Sequence, residues 1–324
     1  MQTTAPLSNA PVQSISLNIS NLLRRAWREN AALTLTGLAM LPVILIAVVG
    51  LMVDHQVITG APAWMKPLKF AISTIIYCFT FVYLLTFVRG HRRLVKAAGM
   101  TMAISLAVEI VLVTLQVVRG TSSHFNLSTP FDSIVFRMMG GTIGFLFIAA
   151  IVLAVVLLRQ RLADSAWNWA LRFSIISAIV GMAVACLMLI PTSAQLASPS
   201  TGIMGAHSVG VVDGGPGLPI VGWSTIGGDL RIPHFVGLHG LQVLLVVGWL
   251  INLTRFWLTL RQRVNLVVIA GLSYLGLIAL LTWQALRGQS IIHPDTLTLL
   301  GFGLLVVTTL IAIVLTVARK AYGK

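Results

Sequence analysis

Eight apolar stretches set the folding problem for this chain. They run at about 33–53, 70–88, 98–118, 138–158, 173–191, 235–253, 264–284 and 296–317. Each is close to the roughly 20 residues that cross a hydrocarbon core. In lipid no water pairs with backbone N–H and C=O groups, so each stretch must close its own hydrogen bonds as a helix. Composition agrees. Of the 324 residues, 57% are hydrophobic and 9% charged, where a soluble domain carries about 25% charged residues. Mean hydropathy is +0.95. A soluble enzyme, a disordered chain and a disulfide scaffold are excluded. The expected fold is all-α and integral to the membrane, with eight transmembrane helices.

The formal net charge of +14 would suggest nucleic acid in a soluble protein. Sorted by the loops between the stretches it reads as topology instead. With the N-terminus inside, 16 cations fall on inner segments and 6 on outer ones. That is the positive-inside bias, and it places both termini in the cytoplasm. The expected partner is the lipid bilayer, with no nucleic acid. No cleavable signal peptide is expected, because the first 20 residues lack a short apolar core. A bacterial inner membrane is the expected location. Residues 14–28 suit an interfacial helix, with Ile15, Ile19, Leu22, Ala26 and Trp27 on one face and Asn18, Asn21, Arg25 and Arg28 opposite. A topogenic basic tail fits them equally. Cys78 and Cys186 read as small core residues.

The chain also repeats itself. Thr114-Leu115-Gln116-Val117-Val118-Arg119-Gly120-Thr121-Ser122 ends the third stretch, and Thr282-Trp283-Gln284-Ala285-Leu286-Arg287-Gly288-Gln289-Ser290 ends the seventh. Both read Thr-x-Gln-x-x-Arg-Gly-x-Ser. His124 and His293 follow, then Pro130 with Asp132 and Pro294 with Asp295. Lys69-Phe70 and His234-Phe235 open the second and sixth stretches in the same register. This predicts a cytoplasmic amphipathic basic tail over 1–30 and two duplicated four-helix halves, 31–158 and 159–324, in one orientation. The second half departs through a long external connection, 192–233, rich in glycine and centred on Asp213-Gly214-Gly215-Pro216-Gly217. Its apolar residues suggest a lid over the helix ends. Gly140 and Gly144 form a GxxxG step suited to close helix packing.

Six of the seven histidines fall on the outer side or just within it: His55, His124, His207, His234, His239 and His293. His239 lies about 9 Å below Pro233 along a helix axis. With Gly237 and Gly240 beside it, there is room for a flat group. Haem b held by His239 and His293 is therefore one expectation. His124 and His234 are secondary ligands in that reading, and Arg231, Arg287 and Arg119 are partners for the propionates. A quinone or a periplasmic electron carrier would be the redox partner. The layout resembles haem A synthase in architecture, with eight helices, two four-helix halves and histidines at the outer ends; that resemblance is architectural only and carries no residue's role over.

Glu109 is the one acid inside a stretch, on the same stripe as Gln116. Intramembrane carboxylates mark proton or ion pathways. Glu109 is thus the candidate catalytic or coupling group of the alternative reading, a proton-coupled transporter or permease whose outer gate is the glycine-rich loop. A structural alternative pairs it with Ser105 or Gln116. A third reading uses the outer histidines as a metal or pH site. Helix-dipole stabilisation alone also accounts for Arg119 and Arg287.

Overall fold

The computed structural model describes residues 19–160, 164–197 and 202–318. Within them eight helices are long and apolar enough to cross a membrane, so the protein is an all-α, multi-pass membrane protein. Helix α1 (Ile19–Glu29) precedes them. The spanning helices are α2 (Ala31–Val53), α3 (Met65–Leu85), α4 (Arg92–Val118), α5 (Pro130–Arg159), α6 (Ser165–Ala185), α8 (Arg231–Leu253), α9 (Leu260–Leu286) and α10 (Thr296–Ala318); α7 (Ser193–Ala197) is a single short turn. A 3-10 turn, Cys186–Leu189, prolongs α6, and another, Thr254–Phe256, prolongs α8.

Seven of the spanning helices begin two to eight residues before their apolar stretch. Polar caps account for four of these early starts. Asn30, Thr129, Asp164 and Thr259 each accept a backbone N–H of the first turn, and Thr259 completes a capping box with Gln262. Pro130 takes the first turn of α5, where its missing N–H is no loss.

Helices α2, α3 and α4 pack on one another and α5 packs on α4. Helices α6, α8 and α9 pack on one another and α10 packs on α9. The largest buried cluster crosses residue 158: Leu33, Cys78, Met102 and Leu153 share it with Leu171, Ile175 and Leu241. The closest helix approach is between α6 and α8. A Cβ added to Gly181 would meet the backbone of Gly237 and Leu238, and one on Gly237 would meet Gly181. By contrast, a Cβ at Gly140, Gly141 or Gly144 would meet nothing within 4 Å. The GxxxG step on α5 thus packs no described helix, contrary to expectation. Cys78 is buried as expected, but Cys186 is exposed, because the chain tightens into the 3-10 turn there and carries it to the outside.

Helix α1 is amphipathic. Ile19, Leu22 and Trp27 are exposed beside Arg24, Arg25 and Arg28, the pattern of a helix lying on a membrane surface. Ile15 and Asn18 of the expected interfacial helix lie outside the described residues.

Two hairpins and the long connection cover one end of the bundle. Strands β1 (Val57–Ile58) and β2 (Ala61–Pro62) pair between α2 and α3. Strands β3 (Ser208–Val209) and β4 (Gly228–Asp229) close the base of the long connection. That connection is tied down at several points. Leu127 N donates to Gly202 O (2.6 Å), Met204 N to Phe125 O and Ala206 N to Met188 O (both 3.0 Å). Gly60, at φ +72, sits against the backbone of Gly214. Phe125, Met188, Leu230 and Ala285 form an apolar cluster beneath it, with Val209 packed on them.

Candidate functional site

The loop-bearing end gathers polar side chains from every part of the chain. Lys66 is the second residue of α3, Glu109 lies within α4, and His124 follows in the α4–α5 connection. His207 and Asp213 come from the long connection, and Arg231 and His234 from the first turn of α8.

Three of these side chains form a line. Lys66 Nζ is 3.0 Å from His124 Nδ1, and His124 Nε2 is 3.4 Å from Glu109 Oε1. An ammonium only donates, so Nδ1 accepts and the ring proton sits on Nε2, facing the carboxylate. Ser123 Oγ also approaches Nδ1, at 3.1 Å. Glu109 is 3% exposed, and its Oε2 is buried without a hydrogen-bond partner. Its partner is therefore His124, neither Ser105 nor Gln116. Gln116 turns instead to Asp132, Arg119 and the Ser122 carbonyl.

A second pair lies beside the line. His207 Nδ1 is 2.7 Å from Asp213 Oδ2, and the backbone N–H groups of His207 and Ser208 donate to the same carboxylate. The His207 ring stands 4.8 Å from Phe125 and 6.3 Å from His124, centre to centre. Phe125 holds φ at +60, a conformation that a bulky residue adopts only under tertiary constraint.

Burial, helped by Lys66 and His207, holds the His124 imidazole well below the usual histidine pKa. Burial also lowers His207, outweighing its contact with Asp213. Burial alone would raise Asp213, but the His207 ring and the two amides overcome it and hold the carboxyl well below the usual range. The sign for stability follows. Both imidazoles bind protons more readily in the unfolded chain, so folding stability falls as pH drops below about 6.5. Asp213 acts only at far lower pH, below about 4. The thermal midpoint in detergent is therefore expected to fall between pH 7 and pH 5, and to fall less in His124→Gln. A midpoint that rises on acidification would contradict this.

The expected haem ligands each have surroundings of their own. His239 lies on α8 with its ring 4.1 Å from Phe235, and His293 is exposed between α9 and α10. The room expected at Gly237 and Gly240 is filled: Gly181 faces the first, and Ser177 and Tyr274 face the second. His234 Nδ1 donates to Gly181 O at 2.7 Å. Arg119 pairs with Asp132 and Arg287 with Asp295, each at 2.5 Å. Arg231 spans both oxygens of Asp229 and donates to Gly222 O. Among the described residues no three His, Cys, Asp or Glu side chains are grouped to hold a metal ion.

No known family, curated protein or solved structure matches the chain. What the site can do must follow from its own chemistry. A proton can pass between the Lys66 amine and the Glu109 carboxylate through the two nitrogens of His124. Lys66 and Lys69 were not legible as site residues. A topology count treats them as ordinary outer cations, and the alignment of Lys69 with His234 marked a repeat, not a site.

Proposed function

We propose that the protein is a proton-coupled transporter whose coupling group is Glu109. The observation that carries this reading is the buried carboxylate: one oxygen faces the His124–Lys66 line and the other has no partner. A membrane-embedded carboxylate in that state is poised to gain and lose a proton. In this reading the loop-bearing end lies outside, in keeping with the charge bias, the membrane is a bacterial inner membrane, and the long connection is the outer gate. The two halves, 31–158 and 159–324, are the moving parts in this reading. Its support is their like packing, three mutually packed helices with a fourth on the third, and the like ends of α4 and α9. Gln116 Nε2 and Gln284 Nε2 donate to the carbonyls of Ser122 and Ser290, and Gly120 and Gly288 stand at φ +69 and +72.

The test uses liposomes loaded with a pH-sensitive dye. Small anions, cations and neutral solutes are added outside in turn. At least one should drive protons inward, and Glu109→Gln should reduce that flux to the level of protein-free vesicles. If the wild-type protein moves protons with no solute, or Glu109→Gln moves them as fast, the reading fails.

A second reading, haem binding, draws on His234. Its Nδ1 is taken by the Gly181 carbonyl, which leaves Nε2 free as an iron ligand. An absorbance spectrum of the purified protein with no Soret band removes it.

A further inference from the structure

Resting on the transporter reading, we propose that the loop-bearing end binds a small organic carboxylate between Lys66, Lys69 and Arg231, together with one proton on Glu109. The cations stand where helix geometry already concentrates positive charge. Helices α3 and α8 both begin here, neither has an acidic residue in its first turn, and helix N-termini already carry partial positive charge. Lys66 and Lys69 stand one turn apart on α3, and Lys69 and Arg231 donate to the adjacent carbonyls of Val221 and Gly222, so the three cations lie close together.

Neither lysine contacts a carboxylate. Lys66 Nζ meets the His124 imidazole, and Lys69 Nζ donates to the Val221 carbonyl at 3.0 Å. Only Arg231 is matched, by Asp229. With the imidazoles neutral, the three cations balance Asp213, Asp229 and an ionised Glu109. Protonating Glu109 leaves one positive charge in excess, the complement of a single carboxylate. The unpartnered atom completes the argument. Protonated Glu109 gains an O–H at Oε2 that no described residue accepts, and a ligand carboxylate is an acceptor for it. A dianion such as sulfate would leave net negative charge. Phe70, whose ring lies 5.8 Å from Lys66 Nζ, and Phe125 supply an apolar wall.

The groups facing Glu109 are few. Lys66 comes from α3 and His124 from the α4–α5 connection, with His207 and Asp213 behind them and Arg231 beyond Lys66. Helix α2 contributes no titratable side chain, and on α5 Asp132 is closed on Arg119.

The experiment is calorimetric titration of the purified full-length protein in detergent with benzoate, and with acetate as a second probe. Binding should take up a proton and weaken as pH rises from 6 to 8, with a slope that steepens toward tenfold per unit at the upper end of that range. Lys66→Gln and Lys69→Gln should each weaken it on the order of 10- to 100-fold, while Lys69→Arg retains it. Glu109→Gln, whose amide mimics the protonated acid, should bind without the pH slope or proton uptake. Size-exclusion elution as for wild type confirms that each variant is folded. Binding independent of pH, lysine variants of unchanged affinity, or binding of inorganic phosphate alone would each overturn the inference. If neither carboxylate binds yet another solute moves protons through Glu109, the inference falls and the transporter reading stands. If they bind with a proton but none moves in vesicles, the transporter reading falls alone.

Discussion

Asp132→Ala is expected to destabilise the protein by about 3 kcal/mol, measured by equilibrium unfolding in mixed detergent, while Asp295→Ala at the matching place in the chain has a much smaller effect. Both aspartates pair with the arginine that ends the preceding spanning helix. The difference is burial. The Asp132 side chain is 3% exposed and the Asp295 side chain 38%. Asp132 accepts from Gln116 Nε2 at 2.8 Å, from Arg119 Nη1 at 2.5 Å and from Thr129 Oγ1 at 2.6 Å. Removing it strands a buried amide and a guanidinium that is two-thirds covered. Arg119's remaining exposure, and its place 4.3 Å over the Phe131 ring, keep the loss at the low end for a broken buried pair. Around Asp295 water replaces what is removed, since an exposed pair contributes little. Equal losses at the two sites would mean that burial does not set the strength of this motif.

Gly181→Leu is expected to be the most damaging single substitution in the membrane-spanning part, at about 3 kcal/mol or more. Its Cβ would fall on the backbone of Gly237 and Leu238, and backbone cannot swing aside as a side chain can. The substitution also pushes α8 away from the carbonyl that holds His234. Gly140→Ala is the control. Open space surrounds that position, so the substitution should be neutral or stabilise α5 by about 0.5–1 kcal/mol through helix propensity. Unfolding that ranks Gly140→Ala below Gly181→Leu would sink this account of the α6–α8 crossing.

Much of the architecture was legible from Leu, Ile and Val alone, since a helix in lipid is specified by a run of apolar residues whatever it packs against. The repeated Thr-x-Gln-x-x-Arg-Gly-x-Ser was legible as a motif, but its meaning was not. It reads as a helix terminator: glycine takes the left-handed position, glutamine holds the carbonyl beyond it, and arginine pairs with an aspartate at the start of the next helix. Gly140 and Gly237 show the limit in the other direction. Both are small residues on spanning helices, and only the path of α6 makes one a crossing and leaves the other in open space.

Glu109 was identifiable because a carboxylate among apolar residues is costly enough to draw notice without coordinates. Its partners were not. Helical spacing pointed to Ser105 and Gln116, one and two turns away, while the chain brings His124 back from beyond the helix end and Lys66 from another helix. Hydropathy is a local property of consecutive residues, so the sequence by itself determined how many helices cross the membrane and that one of them carries a buried acid. Which imidazole and which amine meet that acid is a long-range matter. It was decided only by the turn after α4 and by the lie of the long connection over the helix ends.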